Sequence, residues 1–229
     1  MSSLYQIRWL LITCATVALA IGCEQDVLEF PELEPAYVRF VNTTQDVDTL
    51  AISIDQAQPV VAVRGGATDY VIAESGRAVG FVLKEGEELL RRDTLFYTLG
   101  GAAKVILFTR GATSTVVEFR RAIQDTTLDP DDDPVIRFTH MAEQTDQFVT
   151  MELWFKGGEK VYNMEFDPGL SSPYKSLAPG VYSFELREWQ STNVAAELLN
   201  VELERGKSYM LFAWDLAPPA LDNVGLSIF

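Results

Sequence analysis

From Tyr37 onward the chain repeats itself, and this repeat limits the possible folds more than any other feature. Tyr37-Val38-Arg39-Phe40-Val41-Asn42 matches Val135-Ile136-Arg137-Phe138-Thr139-His140 at an offset of 98 residues. Farther along the offset is 104: Tyr70 corresponds to Tyr174, Gly76 to Gly180, Leu95 to Leu199, Leu99 to Leu203, and Leu107-Phe108 to Leu211-Phe212. The difference places a six-residue insertion early in the second copy, near the Gly157-Gly158 turn. The expected organisation is a first unit over residues 37–123, a linker over 124–134 and a second unit over 135–229.

Each unit reads as strands. Leu50, Ile52 and Ile54 alternate with Ala51, Ser53 and Asp55, and Tyr182, Phe184 and Leu186 alternate with Ser183, Glu185 and Arg187. Successive side chains of a strand point to opposite faces, so this period of two marks half-buried strands. Val105 to Phe108 and Tyr209 to Phe212 are short unbroken apolar runs, suited to strands covered on both faces. Gly65-Gly66, Gly100-Gly101, Gly157-Gly158, Pro179-Gly180 and Arg205-Gly206 supply the turns between them. The one stretch with helical character, Glu85 to Arg92, is too short to change the class. The sequence predicts an all-β chain made of two tandem antiparallel β-sandwiches.

The N-terminus carries a different message. The first 22 residues hold no acid and one cation, Arg8, ahead of an apolar run from Trp9 to Ala20. This is the layout of a secretory signal, and the run is too short to span a bilayer comfortably, which takes roughly 20 apolar residues. Leu19-Ala20-Ile21-Gly22-Cys23 resembles a bacterial lipobox, although Ala20 stands where Leu is usual. Of the two cysteines, Cys14 lies inside the segment to be removed, which leaves Cys23 as an unpaired first residue. Lipidation of Cys23 explains that arrangement, and the several acyl chains of such an anchor suffice for stable membrane attachment. Residues 1–22 are therefore expected to be a signal peptide. Residues 23–36, acidic and broken by prolines, form a tether. Glu24 after the lipidated cysteine, rather than Asp, favours the outer membrane as the destination.

The formal net charge of −15 becomes one unit more negative once Arg8 is removed, which argues against nucleic acid and anionic lipid surfaces as partners. Five carboxylates crowd the segment from Asp125 to Pro134. Asp129, Asp131 and Asp133 alternate as the first ligands of a calcium loop do, but Pro134 follows where such a loop needs glycine, and no glutamate closes it. A solvated linker is the expected reading, with no metal. His140 is the one histidine in the chain. It rules out multi-histidine metal centres, and it is expected to hold the turn after its strand, as Asn42 would in the first copy. Trp154, Trp189 and Trp214, with Tyr162 and Tyr174, could form a platform for sugars; aromatics at alternating strand positions more often build a core, and Trp189 is the one expected at the surface. The sequence contains no phosphate-cradling glycine loop, no Gly-x-Ser-x-Gly elbow and no cysteine nucleophile, so neither catalytic residues nor a cofactor are expected.

Val38-Arg39-Phe40-Val41-Asn42 with Asp46-Val47-Asp48, and Ile136-Arg137-Phe138-Thr139-His140, resemble the opening strand and turn of the bacterial domain-of-unknown-function family 4397. Ser172-Pro173-Tyr174 with Leu177-Ala178-Pro179-Gly180-Val181-Tyr182 resembles that family's central segment, and Gly206-Lys207-Ser208-Tyr209 its closing strand. The first copy departs from the pattern at Ala73-Glu74-Ser75-Gly76 and at Asn42. The resemblance implies an immunoglobulin-like sandwich in an exported protein, and brings no established activity or catalytic residues. The expected role is a non-enzymatic envelope lipoprotein acting as a structural or protein-interaction module. The alternative is a surface glycan-binding lipoprotein that assists an outer-membrane transporter.

Overall fold

In the computed structural model, residues 34–55, 57–76, 78–90, 95–98, 103–111, 117–142, 150–216 and 224–229 are described. The signal-like segment, Cys23, most of the tether and the Gly100-Gly101 turn lie outside these residues. The first repeat contributes β1 (Ala36–Val41), β2 (Thr49–Ile54), β3 (Val60–Val63), β4 (Val71–Ala73) and β5 (Ala78–Glu85). It continues with β6 (Glu88–Leu89), β7 (Leu95–Thr98), β8 (Lys104–Arg110) and β9 (Glu118–Gln124). The second contributes β10 (Val135–His140), β11 (Met151–Phe155), β12 (Lys175–Ser176) and β13 (Gly180–Glu188). It closes with β14 (Val194–Leu203), β15 (Ser208–Asp215) and β16 (Val224–Ile228). The class is all-β and sandwich-like, as the alternation predicts, and no helix occurs among the described residues. The described part of the stretch with helical character, Glu85 to Leu90, instead holds a tight hairpin, in which Lys84 and Glu85 of β5 pair with Leu89 and Glu88 of β6 around Gly86.

The four sheets have orders β4-β1-β8-β9, β12-β10-β15-β16, β3-β2-β5-β6 with β7 also on β5, and β11-β13-β14. The first two match strand for strand. Tyr37 faces Lys104 across β1 and β8, and Val135 faces Ser208 across β10 and β15, so both sequence offsets reappear in one register. Phe40 donates its backbone N–H to the Thr68 hydroxyl at 3.1 Å, and Phe138 donates to the Ser172 hydroxyl at 2.9 Å. The insertion is divided rather than placed wholly at Gly157-Gly158. Ile52 and Ile54 face Leu83 and Phe81 as Leu153 and Phe155 face Leu186 and Phe184, so part of the shift is already taken up before β11.

The sheets are not wholly antiparallel. β1 runs parallel to β8, and β10 parallel to β15. Parallel neighbours need a long crossover, and here the rest of the sandwich serves as that crossover.

Alternation assigns each residue to a layer. Val38 and Phe40 of β1 join Leu50, Ile52, Phe81, Leu83 and Leu107 in the first core, where Phe40, Phe81 and Phe119 meet with ring centroids 5.5–5.9 Å apart. Ile136 and Phe138 of β10 join Leu153, Phe166, Phe184, Leu186 and Leu211 in the second. Fully burying a side chain such as Phe81 contributes roughly 1.5–3 kcal/mol. The opposite faces of β1, β8, β10 and β15 are also covered. Val41, Ile106, Phe108 and Ile123 pack on Met141, Met210 and Phe212 in a third core, with Phe108 and Phe212 edge to face at 5.7 Å. The unbroken apolar runs in β8 and β15 thus have their cause: each strand fills the core of its own repeat with one set of residues and the seam between repeats with the other.

Candidate functional site

The seam carries the densest polar chemistry. The linker begins where Asp125 leaves β9, its backbone N–H held by the Lys104 carbonyl at 2.8 Å. Tyr70 donates to Oδ2 of Asp125. Tyr174 donates to Oδ1 at 2.7 Å, Ser208 to the same oxygen at 3.0 Å, and the backbone of Thr126 at 2.8 Å. Oδ1 thus accepts from three donors and Oδ2 from one. Burial, followed by the bond to Asp125, pushes the Tyr174 hydroxyl up to about 12 and raises Tyr70 further in the same direction. Arg39 lies over the Tyr70 ring at 4.3 Å and the Phe229 ring at 4.9 Å, and Arg137 over Tyr174 at 5.1 Å. The Nε atoms of both arginines are buried without a hydrogen-bond partner among the described residues. The arrangement has the form of a clamp that ties the linker to Tyr70 of one repeat and to Tyr174 and Ser208 of the other.

Trp214 belongs to this seam. Its Nε1 donates to Ser227 at 2.9 Å, and its ring lies against Gly65 of the first repeat and Gly225 of β16. Gly65 has φ +69°, and a Cβ there would overlap the Trp214 ring, so both conformation and space require glycine. The sequence grouped Trp214 with possible sugar-facing aromatics; it is half-buried and packs the third core. Tyr162 is likewise internal, 6% exposed, and donates to the Ile136 carbonyl at 2.9 Å. Burial pushes its hydroxyl up to about 12.

A second polar group lies on the outer face of β11-β13-β14. Leu153, Phe184 and Leu186 point into the core, so Glu152, Trp154, Glu185 and Arg187 point out. Trp154 donates from Nε1 to Glu152 at 3.1 Å, and its ring is covered by Arg187 at 4.5 Å and Lys160 at 5.5 Å. Lys160 pairs with Glu152 at 2.5 Å, Arg187 with Glu185 at 2.5 Å and Lys156 with Glu197 at 2.8 Å. Trp189, 46% exposed, continues this face beyond β13, where its backbone N–H donates to the Thr150 carbonyl at 2.8 Å. Of the three tryptophans singled out in the sequence, Trp189 alone offers an open ring.

The acidic linker is folded onto the second repeat. Asp129 and Asp132 close a turn through reciprocal bonds of 3.0 Å, and Gly206 donates to the Asp132 carbonyl at 2.8 Å. Arg205 donates to the Asp131 carbonyl at 2.8 Å and pairs with Asp133 at 3.5 Å. Among the described residues no three potential ligands gather, so Asp129, Asp131 and Asp133 are not brought together as a metal centre. His140 is 1% exposed, and its backbone holds the turn at Gly169 and Leu170 through bonds of 2.6 and 2.9 Å. Asn42, its counterpart, uses its side chain: Nδ2 donates to the Val47 and Ala62 carbonyls at 2.9 and 3.2 Å, and Oδ1 accepts from Thr44. An apolar cleft of about 260 Å³ opens between β2, β3 and β4, lined by Ile54, Val60, Val71 and Ile72. It is smaller than most ligand pockets, which begin near ~300 Å³.

Sequence reasoning did not single out the Asp125 clamp. A signal was present, because the arginine and the tyrosine are each kept at the matching position of both repeats while most polar positions differ.

No family model matches the chain, and no curated protein does so either. Among solved structures it is similar to the Bacillus anthracis TIE protein, at 10% identity and a TM-score of 0.25 over 79% of this chain. The chain spans about a third of that protein, 34% of its length. It is also similar to CBMbc, a family CBM26 module of Eubacterium rectale Amy13K in complex with maltoheptaose. There the identity is 9% and the TM-score 0.28, over 85% of this chain and 96% of that one.

Proposed function

We propose that the chain is a non-enzymatic envelope lipoprotein, anchored through Cys23, whose tandem units of the domain-of-unknown-function family 4397 type act as a stiff protein-interaction module. The observation that carries this reading is the third core. Phe108 and Phe212, with their neighbours, fasten the two sandwiches into one body, and Asp125 fastens the linker to both. A body that holds its shape loses little conformational freedom when a partner docks, so more of the contact energy appears as affinity. The polar clusters are taken up by internal bonds, which supports a binding role over a catalytic one. The acyl chains, not the acidic body, would supply the attachment to the membrane.

Two measurements test this. Cys23→Ala is expected to abolish labelled palmitate incorporation and membrane attachment; undiminished label would remove the anchor from the proposal. The native protein, captured from detergent-solubilised envelope, is expected to bring a stoichiometric envelope protein with it, and recovery of the bait alone counts against the interaction role.

The exposed ring of Trp189, on the same face as the fixed Arg187–Glu185 pair, favours a second reading, a surface glycan-binding lipoprotein that assists an outer-membrane transporter. A glycan array with full-length protein and Trp189→Ala decides it: binding lost in the variant supports the reading, and an empty array removes it.

A further inference from the structure

The two repeats treat the same opening differently. Among the described strands, β4 and β12 each stand at the end of their sheet, and the cleft beside β4 runs along Val71, Ile72 and Ala73. In the second repeat Lys175 of β12 holds the place of Val71, since Ile136 faces Lys175 as Val38 faces Val71. Its ammonium reaches across the opening and donates to the Val161 carbonyl at 2.5 Å, with the rings of Phe155 and Tyr162 at 5.9 and 6.0 Å. Val161 bonds Leu153 as Val60 faces Ile52, so Val161 and Phe155 hold the places of Val60 and Ile54. A lysine on an end strand guards it against pairing with another chain. The first repeat has Ile54, Val60 and Val71 in these three places, and its cleft stays open.

The backbone of β4 is turned toward a partner as well. Tyr37 donates its N–H to the Ala103 carbonyl at 2.7 Å, on the β8 side of β1 and away from β4. In an antiparallel pair, opposed residues that do not bond each other direct their N–H and C=O groups outward. Tyr37 and Ile72 are such a pair, so Ile72 presents both groups to the open edge of β4. We infer that an extended segment of a partner protein, with apolar side chains alternating with basic ones, adds to β4 as an outer strand and fills the cleft. The inference rests on the protein-interaction reading and gives the partner its chemistry. In strand addition the edge supplies main-chain bonds, and pockets for alternate side chains supply selectivity. Alternate residues of the added strand turn inward beside Val71 and Ala73, and the others turn out beside Ile72 and Glu74. A cleft of about 260 Å³ suits the side chains of such a strand better than a whole small ligand. Its lining includes Asp55 and Glu74 and no cation, so complementary charge favours lysine or arginine at the outward positions.

Fluorescence anisotropy with the full-length protein in detergent tests the inference. The probes are a labelled peptide of alternating lysine and valine, and the same peptide N-methylated along its whole backbone. The first is expected to bind, and the second at least tenfold more weakly, because it keeps the charge and the side chains but cannot pair as a strand. Val71→Lys copies the guard of the second repeat and should weaken the first peptide at least tenfold. The fold accepts lysine at this place, as Lys175 shows, so circular dichroism should be unchanged. No binding to the native protein would overturn the inference, and so would undiminished binding to Val71→Lys. Equal binding of the methylated peptide would overturn it too, since attraction to the acidic surface alone would then explain the signal. Capture from solubilised envelope with native and Val71→Lys protein side by side keeps the two readings apart. A partner recovered equally by both leaves the interaction role standing and removes the cleft as its site. Recovery of the bait alone counts against the role, and the peptides still decide the cleft.

Discussion

Tyr70 and Tyr174 occupy the same position in successive repeats and donate to opposite oxygens of one carboxylate, Asp125, which belongs to the linker between them. The linker is thus part of the structure that holds the repeats together. Asp125→Ala would strand both phenols and the Ser208 hydroxyl together. Bonds to a charged acceptor contribute about 1.5–3 kcal/mol each and are not additive within a network, so a loss on the order of 3 kcal/mol is expected. Tyr70→Phe and Tyr174→Phe should be coupled through the shared carboxylate. Chemical denaturation of the two single variants and the double checks this, and strictly additive losses would show that the two bonds are independent.

The same tyrosines set an alkaline limit. Their folded-state values lie above the ordinary phenol value of about 10, with Tyr174 at about 12 and Tyr70 higher. The unfolded chain therefore releases these protons first. Their contribution is complete below pH about 10 and is lost as pH rises through about 12 and beyond. Denaturation midpoints should fall between pH 10 and 12, and less steeply in Tyr174→Phe. Tyrosinate absorbance should show groups ionising only as the protein unfolds. An identical slope in the variant would remove Tyr174 from the account.

The third core makes a calorimetric demand. With Phe108 and Phe212 in contact, the two repeats should unfold in a single cooperative transition. Phe212→Ala removes a fully buried ring and should cost about 3–5 kcal/mol. Because Phe212 faces the seam, the loss should fall on the coupling, and the variant's heat-capacity trace should divide into two peaks. A lower but still single peak would mean that the Asp125 clamp suffices to couple the repeats.

On the outer face of the second repeat, Lys160 covers a carboxylate that is almost wholly buried, with the Glu152 side chain 4% exposed. Lys160→Met leaves that charge with the Trp154 N–H alone and should cost about 1–3 kcal/mol. The double variant Glu152→Gln/Lys160→Met should be more stable than Lys160→Met, because removing a buried pair together is milder than orphaning one partner. Thermal denaturation of the three proteins distinguishes this from simple loss of packing, in which the double variant would be the least stable.

Much of this architecture is legible in the residues. The alternation at Leu50 and Ile52 and at Phe184 and Leu186 marks the inward faces correctly, because a strand with one wet face has no other way to bury its apolar set. The unbroken run from Val105 to Phe108 marks a strand covered on both sides. The parallel pairing of β1 with β8 is not legible: its partners lie far apart in sequence, and no turn residue announces the contact. The clamp was hidden for another reason. Asp125 is one of five carboxylates in a short acidic segment, and only the fold separates the one that receives four donors from those that face water. Trp154, Trp189 and Trp214 are alike in a sequence, yet one lies under cations, one is open and one fills the seam.

Strand β8 has a further consequence. Val105 lies between Val38, near the start of the first repeat, and Gln124, near its end. The chain therefore arrives and departs at one end of the sandwich, about two strand spacings, ~10 Å, apart. A pull applied at Ala36 reaches Asp125 across the width of three strands instead of the length of the domain. Such a pull loads the β1–β8–β9 ladder across its strands and opens its hydrogen bonds one after another, starting at the end where Val38, Val105 and Gln124 lie side by side.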